Sequence, residues 1–438
     1  MTSFKIIGGT PLIGAVRLGG AKNASFKLMI AAACGVGESR LLNMSKIGDV
    51  DVTYKTLEAI GVKCTRPGDN TVYLVGNGLS TDTIPSFTGE KTRAATLFAG
   101  LILNKKGRAI IPQPGGCALG ERSIERHLAG FRAMGATVLC NDQGIEMSAQ
   151  DGLHGATYRF SKKSHTGTEA LIIAGVLAKG KTVIENSAHE PEIDDLIEFF
   201  NKMGGSVIRD HDSIIIEGVD TLHGATHHVM PDRNEAVSYA TMAIATRGDI
   251  IVEGALSAHL TSFLAKLDEI GGKYEISPYG IRFFYDKPLA ATDLTTAPEP
   301  GFMTDWQPLW TTMMTQAKGV SQVVEAVTQH RLAFTTQLNQ MGAKIEYFDP
   351  APSDPSVFYE FNIPETTPYP HAVRVTGSTP LHGINITVPD LRGGATLVMA
   401  AIIASGQSTI HNVELIDRGY ERFDEHLQNL SANIERIE

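Results

Sequence analysis

Six basic side chains recur at equivalent places along the sequence, each beside the expected start of a helix: Lys22, Arg93, Arg122, Arg331, Arg392 and Arg418. Helix N-termini present unpaired N–H groups and a partial positive charge, and both attract anions. A single basic residue in such a place is usually a surface charge next to a capping residue. Six at equivalent positions predict a focused site for a ligand that carries phosphate or carboxylate groups.

A glycine-rich loop between residues 112 and 122 carries Cys117. The loop is longer than its counterparts, and its three glycines expose the backbone. A cysteine in such a loop is not core filler, and a nearby arginine, Arg122, favours the reactive thiolate. No Gly-Lys-Ser/Thr follows, which excludes a Walker P-loop. Cys117 is therefore a candidate catalytic residue, whereas Cys34, in an alanine-rich helical pattern, is expected in the core.

Asp305 lies between aromatic residues, Phe302 and Trp306. A carboxylate beside a cation-rich pocket has the chemistry of a general base for a sugar hydroxyl. The alternative is that Asp305 only caps the following helix. The 14 histidines form no H-x-x-x-H or H-E-x-x-H pattern, so we predict no metal site and no cofactor.

A repeat of about 70 residues must position these groups. A helix-like stretch ends in a glycine at residues 61, 135, 204, 271 and 342, which stand 74, 69, 67 and 71 residues apart, and a sixth copy has Ser431 instead. A second series of turn glycines has a matching period: Gly37, Gly107, Gly180, Gly248, Gly319 and Gly406. Glycine suits both places because a helix C-terminus favours a left-handed residue. Six α/β repeats, three to a domain, are predicted.

The composition limits the class of protein. The chain has 438 residues, 42% hydrophobic and 20% charged, which is typical of a globular protein. No apolar run reaches the roughly 18–20 residues of a membrane span, and the first residues lack the pattern of a signal peptide, so we expect a cytoplasmic protein. A net charge of −10 opposes binding to nucleic acid. Six prolines between residues 349 and 370 predict a surface insertion in the sixth repeat.

Several motifs together resemble the UDP-N-acetylglucosamine 1-carboxyvinyltransferase family of enolpyruvyltransferases. They are Gly20-Ala21-Lys22-Asn23-Ala24, Pro114-Gly115-Gly116-Cys117-x-x-Gly120-x-Arg122, Pro231-Asp232-Arg233, Thr304-Asp305, Asp390-Leu391-Arg392 and Asp417-Arg418-Gly419-Tyr420-Glu421-Arg422. The resemblance implies an α/β (α+β) fold of two domains, an inside-out α/β barrel with the active site in the interdomain cleft. The first domain would span residues 22–231, and the second residues 1–21 with 232–438.

The resemblance also implies a reaction and roles for single residues. The family transfers the enolpyruvyl group of phosphoenolpyruvate to the 3-hydroxyl of UDP-N-acetylglucosamine, the first committed step of peptidoglycan precursor synthesis. Catalytic roles would fall to Cys117 as the acid, which fosfomycin alkylates, to Asp305 as the base, and to Lys22 and Arg418. The implied substrate-binding residues are Lys22, Asn23, Arg93, Arg122, Ser164, Thr166, Asp305, Arg331, Asp390, Arg392 and Arg418. The partners would be these two small molecules; the sequence does not indicate the oligomeric state.

Three departures from the family pattern concern the acceptor, and the proline-rich insertion of the sixth repeat is one of them. Residues 162–169 read Lys-Lys-Ser-His-Thr-Gly-Thr-Glu where the family commonly has Ser-Val-Gly-Ala-Thr, and Glu125 replaces a usual aspartate. A different uridine nucleotide as the acceptor therefore stays open as an alternative. Two further alternatives rank lower, an RNA 3'-terminal phosphate cyclase-like protein and a non-catalytic homologue that binds nucleotide sugars.

Overall fold

The computed structural model describes residues 2–112, 124–141, 144–361 and 370–437, without the side chains of Lys91 and Arg93. Two predicted site residues, Cys117 and Arg122, lie outside the described residues, as does the side chain of Arg93. None of the helices in the described ranges is long and apolar enough to cross a membrane.

Most strands are short, with three to six residues. They are β1 Ser3–Ile7, β2 Ile13–Arg17, β3 Glu38–Leu42, β4 Lys63–Thr65, β5 Val72–Val75, β6 Arg108–Pro112, β7 Thr137–Asn141, β8 Gly144–Ser148, β9 Thr157–Arg159, β10 Lys181–Glu185, β11 Ser206–Asp210, β12 Ser213–Glu217, β13 Thr226–His228, β14 Asp249–Glu253, β15 Lys273–Ser277, β16 Gly280–Phe284, β17 Leu294–Thr295, β18 Gly319–Val324, β19 Lys344–Phe348, β20 Ala372–Gly377, β21 Asn385–Thr387, β22 Gln407–His411 and β23 Asn433–Ile437.

Helices alternate with these strands. They are α1 Lys22–Cys34, α2 Gly48–Ala59, α3 Ser86–Lys91, α4 Phe98–Lys106, α5 Glu125–Ala133, α6 His165–Gly175, α7 Pro191–Lys202, α8 Arg233–Ala245, α9 Thr261–Glu269, α10 Gln307–Met314, α11 Thr335–Gln340, α12 Pro355–Phe358, α13 Leu391–Ile403, α14 Glu414–Asp417 and α15 Phe423–Asn429.

The described chain divides into two compact units. Unit A comprises the described residues from 19 to 230, and unit B comprises residues 2–18 with the described residues from 231 to 437. Each unit has its own hydrophobic core.

Within the described ranges, three sheets belong to each unit and share one strand order. In unit A the orders are β13-β3-β5-β4, β6-β8-β7 and β9-β10-β12-β11, and in unit B they are β2-β14-β16-β15, β17-β18-β20-β19 and β21-β22-β1-β23. In each complete sheet the first strand runs parallel to the second, and the remaining pairs are antiparallel. In the three-stranded sheet, a parallel bridge from Thr83 to Ile110 takes the place of the first strand. The predicted α/β class with three repeats in each of two domains is confirmed.

The first helix of each repeat is buried on nearly every side. In unit A these helices are α1, α4 and α6, and in unit B they are α8, α10 and α13; within each unit the three contact one another. All the residues of α8 are buried, as are the residues of α1 from Ala24 onward. A helix that is apolar around its whole circumference is stable only when other elements surround it. The three first helices therefore pack against one another within each unit.

The predicted left-handed glycines are confirmed in most repeats. The five glycines that end the second helices have φ between +79° and +101°, and in the sixth copy Ser431 adopts the same conformation, with φ +74°. The prediction was wrong at Gly248, because there the left-handed residue is Arg247, with φ +59°. A Cβ on Gly248 would instead lie 2.0 Å from the carbonyl oxygen of Leu12, so close approach of the backbone requires glycine there.

Two of the basic residues are not in a first helical turn. Lys22 begins α1 and Arg392 is the second residue of α13, as predicted. Arg331 lies four residues before α11 begins at Thr335, and Arg418 follows α14 and precedes α15 by five residues. The field of a helix N-terminus acts on the first two, because that field decays within one turn.

The proline-rich segment contains a short helix that the sequence analysis did not predict. Helix α12 begins with Pro355, whose missing N–H costs nothing in the first turn. Asp354 caps it by accepting a hydrogen bond from the backbone N–H of Ser356. Tyr359 just after it is buried, and the backbone N–H of Glu360 donates to the carbonyl of Ala326. The segment is therefore attached to unit B as far as residue 361; residues 362–369 lie outside the described ranges.

Candidate active site

In unit A, Lys22 and Asn23 open α1. The Nζ of Lys22 lies 2.9 Å from a carboxylate oxygen of Asp49, in the first turn of α2, and 5.7 Å from the centre of the Phe26 ring. The side chain of Lys22 keeps 15% of its surface exposed. A lysine held by one carboxylate at a helix N-terminus can exchange that partner for an anionic ligand.

A buried ion pair joins α1 to α6, the helix that begins in the predicted acceptor loop. Lys27 donates to Glu169 at 2.7 Å, and the two side chains are 2% and 0% exposed. His165, the first residue of α6, places its Nε2 3.1 Å from the same carboxylate. Burial lowers the pKa of His165, but Glu169 and Glu190 outweigh it and raise the pKa above its usual value. The starts of α1 and α6 are therefore held together by a network of charges.

The predicted acceptor-binding residues sit at the start of α6. Ser164 is its N-cap, and its hydroxyl accepts a hydrogen bond from the backbone N–H of Gly167 at 3.2 Å. The Thr166 hydroxyl is 3.2 Å from Nε2 of His127 on α5. Glu125, also on α5, is exposed and pairs with Arg132 of the same helix. Arg93 begins a 3₁₀ turn, Arg93–Leu97, that Thr92 caps.

In unit B, Asp305 is held between two arginines that are distant in sequence. One carboxylate oxygen accepts from Arg331, and the other lies 3.1 Å from Nε of Arg392. Both arginines are buried, whereas Asp305 is only half-buried. Asp305 does not cap α10, because that helix begins at Gln307 and Trp306 is its N-cap. The carboxylate of Asp305 lies beside two cations, as the general-base prediction expects, and the capping alternative is wrong.

The guanidinium of Arg392 has unused donors. Its Nη1 and Nη2 are buried and have no hydrogen-bond acceptor among the described residues. The group lies 5.2 Å from the centre of the Tyr420 ring. Burial alone would lower the pKa of Arg392, but Tyr420, Asp305 and Asp232 raise it, so the cation persists. Two buried charged donors without an acceptor are costly unless an anionic ligand accepts from them.

Asp390 holds Arg392 at the start of α13. Its carboxylate accepts from the backbone N–H groups of Arg392 and Gly393, both at 3.0 Å. This is a regular N-cap, so Asp390 orients the first turn of the helix.

The carboxyl group of Glu235 is buried at the start of α8. Glu235 is 3% exposed, and burial, with contributions from Asp232 and Glu421, raises its pKa to about 8. Asp232 caps the same helix by accepting from the backbone N–H groups of Asn234 and Glu235. Unit B therefore combines fixed cations with a carboxyl group that titrates near neutral pH.

Arg418 lies on a segment that is anchored by Tyr420. The Tyr420 side chain is buried, and its hydroxyl is 2.8 Å from the hydroxyl of Ser238 on α8. The same ring lies against Arg392. The segment from Asp417 to Asp424 thus connects Arg418 to the start of α13.

The structure brings Arg331 and Arg392 to Asp305, with Asp390 at the backbone of Arg392. In unit A it places Lys22 and Asn23 at the start of α1 and Ser164 and Thr166 at the start of α6. Sequence reasoning missed Lys27, Glu169 and Glu235. A signal was present, because Lys27 and Glu169 are each a charged residue inside an otherwise apolar helix. Such residues are almost never buried without a partner. No group of metal-ligating side chains occurs among the residues that the structure describes.

Comparison with known proteins gives full-length similarity. A family model described as EPSP synthase (3-phosphoshikimate 1-carboxyvinyltransferase) matches residues 6–427. The UDP-N-acetylglucosamine 1-carboxyvinyltransferase of Protochlamydia amoebophila is 37% identical over 447 residues, which cover 100% of this chain and 95% of the relative. An enzyme of the same name from Staphylococcus aureus is 34% identical over 440 residues, the full length of both chains.

Solved structures of low sequence identity share the fold. The enolpyruvyl transferase NikO from Streptomyces tendae superposes with a TM-score of 0.86 at 21% identity and covers 99% of this chain and 98% of its own. The EPSP synthase of Acinetobacter baumannii gives a TM-score of 0.76 at 19% identity, with both chains covered fully. These two structures bear on the fold alone.

Proposed function

Because the chain belongs to the carboxyvinyltransferase (enolpyruvyltransferase) family, we propose that it transfers the enolpyruvyl group of phosphoenolpyruvate to the 3-hydroxyl of UDP-N-acetylglucosamine, with release of phosphate. This is the first committed step of peptidoglycan precursor synthesis. The acceptor follows from the relatives that are 34–37% identical over the whole chain and carry that name.

The arrangement of Asp305 between Arg331 and Arg392 is the observation that best supports this reaction. A substrate carboxylate would take the place of Asp305 as the acceptor for these arginines and use the two Nη donors of Arg392, which have no acceptor among the described residues. Bidentate arginine–carboxylate pairing suits this geometry. Asp305 would then lose its two cationic partners and become a stronger base for a hydroxyl proton.

The remaining roles are those that the family resemblance implies. We assign the phosphate of phosphoenolpyruvate to Lys22, Arg122 and Arg418, and its carboxylate to Arg331 and Arg392. Asn23, Arg93, Ser164 and Thr166 are assigned to the acceptor side, and Asp390 to orienting Arg392. Clustered cations both bind the anionic substrate and stabilise the charge that develops as phosphate leaves.

The reaction is balanced without a redox step or a cofactor. The acceptor oxygen bonds to C2 of phosphoenolpyruvate as Asp305 takes its proton, while Cys117 delivers a proton to C3. This addition gives a tetrahedral intermediate. The Cys117 thiolate then takes a proton back from C3 as the bond between C2 and the phosphate oxygen breaks, which releases inorganic phosphate and restores the double bond. Cys117 acts as the acid in the first step.

Release of inorganic phosphate tests the proposed function directly. The purified protein is incubated with phosphoenolpyruvate and one acceptor at a time: UDP-N-acetylglucosamine, other uridine nucleotides, or shikimate 3-phosphate. We expect phosphate release with UDP-N-acetylglucosamine only. Release only with another uridine nucleotide would move the function to that acceptor and assign the changes at His165 and Glu125 to acceptor choice. Absence of release with all acceptors would contradict the proposal.

Substitution of Asp305 tests the assigned base. We expect Asp305→Asn to lower kcat by roughly 10²–10⁴-fold, the usual contribution of a general base. Asp249→Asn is the matched control, because Asp249 also pairs with an arginine, Arg282, but on a sheet surface. Equal kcat values for the two variants would remove Asp305 from the chemistry.

A further inference from the structure

Arg436 makes two carboxylate pairs at once. Its side chain, on β23, donates from Nη1 and Nη2 to the two oxygens of Asp417, each at 2.9 Å. It also donates from Nε and Nη2 to the two oxygens of Asp424, again at 2.9 Å. The guanidinium lies 4.8 Å from the centre of the Phe4 ring on β1. These four hydrogen bonds from one planar group fix both carboxylates relative to the sheet.

The two carboxylates mark the ends of the segment that carries Arg418. Asp417 directly precedes Arg418, and Asp424 lies in the first turn of α15. Between them, Tyr420 fixes the middle of the segment through its buried hydroxyl on Ser238. Two contacts therefore hold the backbone at Arg418 in place: that of Tyr420 with Ser238 on α8 and that of Arg436 on β23 with Asp417.

We propose that Arg436 is a positioning residue for phosphoenolpyruvate: through Asp417 it sets the direction from which Arg418 reaches the phosphate group. This inference rests on the proposed function. Arg436 does not touch the substrate; it acts on the backbone next to a residue that does. Displacement of a phosphate ligand by a fraction of an ångström weakens an interaction that the transition state needs.

A matched residue separates this role from simple stabilisation. Arg282, on β16 of the same unit, also pairs with two carboxylates, Asp249 and Glu275, at 2.6 and 3.0 Å. It also lies over an aromatic ring, that of Phe284, at 4.6 Å. The two arginines are similarly exposed, 39% for Arg282 and 32% for Arg436. Arg282 adjoins no assigned site residue in the sequence, so its loss reports the structural cost alone.

The experiment compares steady-state kinetics and melting temperatures of Arg436→Gln and Arg282→Gln. We expect similar decreases of the melting temperature. We expect kcat/KM for phosphoenolpyruvate to fall about tenfold or more in Arg436→Gln only. The KM for UDP-N-acetylglucosamine should change little, because Arg418 is assigned to the phosphate of the other substrate. Equal kinetics in the two variants would overturn the inference.

A double-mutant cycle with Arg418→Lys tests the route of the effect. If Arg436 acts through Arg418, Arg436→Gln should change kcat/KM by less than about twofold in the Arg418→Lys background. A full tenfold loss in that background would overturn the positioning role and leave the proposed function standing. If Arg418→Lys alone has wild-type kinetics, the role of Arg418 fails, and the inference falls with it.

Discussion

The buried ion pair between Lys27 and Glu169 allows a quantitative prediction for Lys27→Met. Methionine has about the volume of lysine and keeps the helix propensity of α1. The substitution removes the lysine cation beside the carboxylate of Glu169, which is 0% exposed, and leaves His165, 3.1 Å away, as its neighbour. Removal of one partner of a buried pair typically costs about 3–5 kcal/mol of unfolding free energy. We expect a loss of that size.

The loss should depend on pH in a defined direction. With Lys27 absent, His165 loses a cation that lowers its pKa and keeps Glu169, which raises it, so the folded state takes up a proton at His165. The folded state then binds more protons than the unfolded chain, so its stability decreases as the pH rises. The destabilisation by Lys27→Met should therefore be larger at pH 8 than at pH 5.

Denaturant unfolding at both pH values measures these effects. Lys181→Met is the control, because Lys181 pairs with Glu217 on the surface of the same unit, and an exposed pair is worth about 0–1 kcal/mol. The double variant Lys27→Met/Glu169→Gln should recover most of the loss, since no uncompensated charge remains. A loss below about 1 kcal/mol, or a double variant as unstable as the sum of the single variants, would refute the reasoning.

Two further predictions concern thiols and pH. Burial raises the pKa of Cys34 to about 12 and that of Cys64 to about 12, so both thiols stay protonated at neutral pH. Fosfomycin should therefore alkylate Cys117 and neither of these two cysteines. Peptide mass spectrometry would contradict this prediction by finding the adduct on Cys34. Likewise, Cys117→Ser should nearly abolish phosphate release, whereas Cys34→Ser should not. Burial raises the pKa of Glu235 to about 8, so its contribution to stability is present below its unfolded pKa and is lost as the pH rises through about 8. Raising the pH from 5 to 8 should lower the melting temperature of the wild type more than that of Glu235→Gln, and parallel curves would exclude this titration.

Much of the fold can be predicted from short stretches of the sequence. The glycines at residues 61, 135, 204, 271 and 342 all take left-handed conformations, so their period reports a real structural repeat. Arg247 and Ser431 adopt the same conformation without being glycine, and no residue-type rule identifies them. Neighbouring structure imposes these two conformations, as at Gly248, where contact with the Leu12 carbonyl decides the residue.

The site is less predictable because its contacts are long-range. The sequence identifies Asp305, Arg331 and Arg392 as single candidates, but their mutual pairing depends on how two repeats pack. The clamp of Arg436 on Asp417 and Asp424 depends in the same way on β23 lying beside these residues. Motifs give the residue types, whereas the identity of the partners follows only from the tertiary structure.

Strand β1 has a consequence for the order in which the chain acquires its structure. It lies between β22 and β23 in its sheet, and its Ile7 pairs with Gln407, which is 400 residues later in the chain. At about 5–20 residues per second, a ribosome needs about 20–80 s to cover that distance. Unit A, whose sheets use only strands between residues 19 and 230, contains all its own pairing partners long before then. Unit A can thus fold while the ribosome is still translating the rest. Strand β2 waits unpaired only until β14 is made, whereas β1 is exposed to chaperones or aggregation for the whole interval.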